Sequence, residues 1–147
     1  MKLKIVLLGG LAHYATAFFA SMLTAMVTHQ GVLEPHYKAT ALFWRPELRS
    51  DPPDMAALMP LWIGVGLLVS FVTAGVYSVF RNALSGPGWQ RGLKFGFAIG
   101  LLYAGMHASL YGVFNLPPFI WLVWALEGMV LAVMAGAALG AVAQKVD

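Results

Sequence analysis

LKFGFAIGLLYAGMHASLYGVF, residues 93–114, is the stretch whose reading decides the fold. Beyond Lys94 it carries no acid, lysine or arginine, and a small residue recurs at every fourth position. At ~1.5 Å per residue a helix of this length crosses the ~30 Å hydrocarbon core of a bilayer. Three further apolar runs, residues 5–27, 58–80 and 119–142, are as long. Backbone polar groups in lipid must be satisfied within each segment, which leaves helices as the solution for such runs. The expectation is an all-α, polytopic membrane protein: one domain over residues 1–147, with four transmembrane helices and a short interfacial helix in the first connection, residues 28–57.

Composition agrees. Hydrophobic residues make up 60% of the chain and charged ones 10%, far below the ~25% usual for soluble domains. There is no cysteine, which removes disulfides, thiolate metal sites and thiol nucleophiles. The net charge of +3 resides mostly in basic residues at helix ends. Topology and lipid headgroups account for them better than nucleic acid does. Lys2 and Lys4 precede the first span, and Arg81, Arg91 and Lys94 surround the second connection, which has no acid. Both termini are therefore expected on the cytoplasmic side. Ala15-Thr16-Ala17 imitates a signal cleavage site, but the apolar run continues through Val27, so the first span reads as retained.

The first connection holds the most varied sequence. Pro35 can open a short helix over residues 35–45, with Tyr37, Phe43, Trp44 and Arg45 at headgroup level before Pro46 stops it. Such a helix either lies in the interface or closes over the bundle as a lid. His29 and His36 flank Glu34 here and read as solvated or interfacial side chains; no metal site is expected from their spacing.

The third span's small residues, Gly92, Gly96, Gly100, Ala104, Ala108 and Gly112, form an unbroken i, i+4 row, answered on the fourth span by Gly128, Ala132, Gly136 and Gly140. Helices in lipid gain packing energy where small side chains let backbones approach. The two rows are expected to pack on each other, or to seam one copy to another protein.

Three ionisable side chains fall well inside spans: His13, His107 and Glu127. Counted from the expected hairpin ends, His107 and Glu127 come out at nearly one level, and isolated charge there is costly. A Glu127–His107 hydrogen bond is expected, with Tyr103, Tyr111 and His13 around it, acting as a structural clamp or in proton handling. No catalytic residue stands out. No cofactor is expected; a haem held by His13 and His107 is the alternative that buried histidines leave open.

The stretch His29-Gln30-Gly31 through Tyr37-Lys38-Ala39-Thr40-Ala41-Leu42-Phe43-Trp44-Arg45-Pro46 resembles the first outer segment of a family of small four-span bacterial inner-membrane proteins. There, a first helix ends in a His-Gly-like turn and leads to a Tyr-x-x-Thr-Ala-x-x-Trp-Arg-Pro-like sequence. The Gly-rich third span and the Pro-containing turn after it are similar too. The resemblance implies a bacterial inner membrane and a shared fold, and brings no activity with it.

Short loops and abundant small-residue rows favour a non-enzymatic membrane protein acting by helix association, as an accessory subunit of a membrane complex or as a homo-oligomer. Its expected partners are membrane lipids and other membrane subunits or itself. The alternative is a small oligomeric transporter or proton-linked carrier using Glu127 and His107. A membrane enzyme acting on lipid or quinone, with the outer segment as its lid, ranks third.

Overall fold

Each apolar run becomes a long helix in the computed structural model, which describes residues 2–147. The fold is all-helical, 85% helix, with no strand among the described residues. The first span is continuous from Ile5 to Val32. Its central part, α1 (Gly10–Val27), is flanked by wider π-type turns at Ile5–Gly9 and Thr28–Val32. Two short helices follow in the connection, α2 (Glu34–Ala39) and α3 (Pro46–Arg49), separated by a single 3-10 turn at Ala41–Phe43. The remaining spans are α4 (Met55–Phe80), α5 (Gly88–Tyr111) and α6 (Pro118–Lys145). All four are long and apolar enough to cross a membrane, the architecture of a multi-pass membrane protein.

Helix boundaries follow local chemistry. Asp54 caps α4, its carboxylate accepting from the Ala57 N–H at 3.1 Å; this satisfies an end donor and starts the helix earlier than residue 58. Pro35, Pro46 and Pro118 each sit in a first helical turn, where the missing N–H costs nothing. The Gln144 side chain accepts from the Gly88 N–H at 2.7 Å and so anchors the start of α5 on α6. At its other end α5 stops at Tyr111, three residues short of the expected 114, and the chain turns through Gly112–Pro117 before α6 begins.

The four spans do not pack equally. α5 and α6 form the tightest pair, α1 lies against α6, and α4 lies against α1. α4 reaches α5 at the end that carries both termini, where the Tyr77 and Phe95 rings meet edge to face at 5.2 Å. A small core of Ile5, Ala74, Tyr77, Phe95, Leu139 and Ala143 closes that end. Beside it, Asp147 accepts from Arg81 at 2.6 Å and pairs with Lys2. Toward the opposite end α4 and α5 stand apart, and a cavity of about 400 Å³ lies within the bundle, with His13, Trp62, Tyr103 and Gly128 from the four spans in its walls.

The small-residue rows interlock over part of their length. A methyl group added at Gly92 would strike the Gly136 carbonyl, one at Gly96 the Ala132 carbonyl, and one at Gly88 the Gly140 carbonyl. At Gly100 it would come within 3.0 Å of the Met129 backbone. The row then leaves α6: Ala104 is half-buried, Ala108 and Gly112 are exposed, and Gly128 has open space where a side chain would stand. Helical geometry requires this. A step of four residues overshoots a full turn by about 40°, so five steps swing the row about 200° around the axis. A straight partner helix can face only part of it.

Candidate functional site

The π-type turn at Thr28–Val32 carries the first helix beyond Val27 and brings His29 to the upper part of α6. There Glu127, its side chain 9% exposed, receives His29 Nε2 at 3.0 Å. The Thr28 hydroxyl donates to the same carboxylate at 3.2 Å, and the Thr24 hydroxyl donates to it as well. Thr24 and Thr28 lie one helical turn apart, so their hydroxyls share a face. A buried carboxylate requires such donors.

The network continues outward. His29 Nδ1 lies 2.6 Å from the Tyr37 hydroxyl, and the Trp124 indole N–H donates to that same oxygen at 2.8 Å. The Trp44 indole N–H donates to the Tyr37 carbonyl at 3.1 Å. With Nε2–H turned to the carboxylate, Nδ1 is the acceptor and Tyr37 donates to it, the tautomer that satisfies every partner. Burial pushes the Tyr37 phenol up to about 12, with the nearby Glu127 charge adding to the rise and the Trp124 hydrogen bond opposing it. The first connection is thus docked through Tyr37 and Trp44, whose rings pack on Trp124 at 6.4 and 6.0 Å. Leu42, Phe43 and Arg45 point away and are exposed. The segment closes over the bundle as a lid, and the single helix expected over residues 35–45 is broken into α2 and a 3-10 turn.

The expected Glu127–His107 hydrogen bond is not formed. His107 Nδ1 bonds the Tyr103 carbonyl of its own helix at 2.8 Å, and its ring sits 6.2 and 6.1 Å from Trp121 and Trp124. The register of the α5/α6 pair explains this. Gly92 faces Gly136 and Gly96 faces Ala132, so each step up α5 is a step down α6. Continued upward, that register sets His107 level with Trp121 and Glu127 level with Leu101. The two side chains are six positions out of step, about 9 Å along the axis. Placing the end of the third span at residue 114 instead of Tyr111 accounts for three of these six positions. His29, expected to be solvated or interfacial, is the acid's partner, with its side chain still 37% exposed.

The other expected cluster members are dispersed. His13 is buried between α1 and α4, with Nδ1 2.9 Å from the Ser70 hydroxyl. Tyr103 borders the inner cavity, and Tyr111 is 51% exposed at the end of α5. Among the described residues no group of three or more His, Asp or Glu is placed to hold a metal.

Below the lid lies a second cavity of about 390 Å³, bounded by Met22 and Ala25 of α1, Met55 and Trp62 of α4, and Tyr37 and Trp44 above. No family model, curated protein or solved structure matches this chain.

Proposed function

We propose that this is a non-enzymatic integral membrane protein that works by helix association, as a subunit of a larger membrane complex or as a homo-oligomer in a bacterial inner membrane, with both termini cytoplasmic. One observation carries the reading: the small-residue row of α5 continues through Ala108 and Gly112 after it has turned away from α6, and nothing within the chain covers it. Small residues facing lipid gain nothing there, whereas they let a second helix approach closely.

The chain has no cysteine, so single-cysteine variants need no prior substitution. Ala108→Cys, oxidised in native membranes, is expected to give a covalent dimer or an adduct with another subunit. Leu102→Cys, at a position 65% exposed off the row, is expected to give neither. Native mass spectrometry should show species heavier than the 15.8 kDa chain. Equal cross-linking at both positions, or a monomer alone, would overturn the reading.

A further inference from the structure

The cavity beneath the lid has an unusual inventory of polar atoms. No Lys, Arg, Asp or Glu lines it; Glu127 lies behind His29. Every N–H or O–H donor on its wall except the Trp62 indole N–H is already committed. Trp44 donates to the Tyr37 carbonyl, Trp124 to the Tyr37 hydroxyl, Tyr37 to His29, His29 to Glu127, and Ser21 to the Phe18 carbonyl. What remains are the Trp62 indole N–H and lone pairs on the Tyr37 and Ser21 oxygens. A molecule entering here meets acceptors, one indole donor and aromatic faces, with no charge to neutralise one of its own.

We propose that this cavity is a binding site for a neutral lipid alcohol, whose hydroxyl donates to Tyr37 or Ser21 and whose chain runs down between α1 and α4. A phosphate or carboxylate head is disfavoured, because desolvating it would go uncompensated. A carbonyl head could accept only from Trp62 and would leave the Tyr37 and Ser21 lone pairs unmet, whereas a hydroxyl serves both. The volume of about 390 Å³ falls within the ~300–1,000 Å³ typical of small-molecule sites. Ser21, Met22 and Trp62 border both this cavity and the inner one of about 400 Å³, so a chain longer than the first cavity has a continuation. The Glu127–His29–Tyr37 chain then has a positioning role: it orients Tyr37 so that its proton is turned away from the ligand and its lone pair toward it. The site is independent of the association face on α5.

The test uses the full chain in phosphatidylcholine nanodiscs with a diazirine-bearing hexadecanol as photoprobe. Labelling is expected to saturate and to map to Met22, Met55 or Trp62. Farnesol or dioleoylglycerol should reduce it about tenfold, and whichever competes better identifies an isoprenoid or a glyceride source. Palmitate should not compete. Ala25→Phe, which fills the cavity from α1 and leaves the hydrogen-bonded chain untouched, is expected to lower labelling about tenfold at an unchanged melting temperature. Labelling that does not saturate, or that spreads equally over outward-facing Leu61 and Val65, would overturn the proposal on the unmodified chain alone. Equal competition by palmitate, or full labelling of a folded Ala25→Phe variant, would do the same.

Discussion

Glu127 gathers three donors from one helix, and its environment is legible only in retrospect. Thr24 and Thr28 end a small-residue row on the first span, Ala12, Thr16, Ala20, Thr24 and Thr28, and a threonine in a membrane helix reads equally well as a packing residue or as a donor. His29 lies past the end of the apolar run, where hydropathy stops counting. Removing the carboxylate should reveal its weight. Glu127→Leu leaves the His29, Thr24 and Thr28 donors without their acceptor; at an average of about 0.6 kcal/mol per membrane hydrogen bond, the loss is about 2 kcal/mol. Glu127→Gln keeps an acceptor for the threonines, and His29 can change tautomer to suit the amide. Melting curves in detergent are expected to place Glu127→Leu several degrees below wild type and Glu127→Gln close to it. A Glu127→Leu variant melting with wild type would show that the network is incidental.

Within the α5/α6 pair, close approach depends on a few glycines and not on the row as a whole. Gly92 and Gly105 occupy the same helix and differ only in what faces them. Gly92 abuts the Gly136 carbonyl, while a side chain at Gly105 would have no neighbour within 4 Å. A single methyl group therefore separates contact from pattern. Gly92→Ala should force the two backbones apart and cost about 1–3 kcal/mol, as overpacking does. Gly105→Ala should be silent or slightly stabilising, since alanine is the better helix former. Both can be read from thermal unfolding of the purified protein. If the two variants unfold alike, the packed face lies elsewhere on α5.

Across the whole molecule the two ends are held by different forces. Near the termini, apolar side chains and close backbones lock the spans together. At the far end a roof is pinned to α6 by hydrogen bonds through Tyr37. Ionisation of that phenol is disfavoured in the docked state, so the folded protein retains the proton at pH values where an exposed tyrosine, with its ordinary pKa of ~10, would release it. Stability from this source is complete below about pH 10 and is lost as the pH rises toward about 12. The melting temperature should fall between pH 9 and pH 11.5, and Tyr37→Phe should flatten that fall. A Tyr37→Phe variant as alkali-sensitive as wild type would mean that the roof is held by other contacts.

The number of spans and their helical state follow from sequence alone, and the small-residue rows mark an α5/α6 seam as one of the two packings open to them. Apolar run length and the demand for internal hydrogen bonds in lipid leave few solutions, and both are local properties. Which half of the seam is used, and which histidine meets Glu127, are decided by register between helices. Register depends on where each helix stops, to within a residue or two. Tyr111 and Val32 are end points that hydropathy does not mark, because a span can end short of its apolar run, as α5 does, or continue past it, as the first helix does. An error of three residues at one hairpin end, about 4.5 Å along the helix axis, exceeds the reach of a hydrogen bond. The sequence therefore names the polar side chains inside the spans, and the tertiary structure alone determines which of them touch.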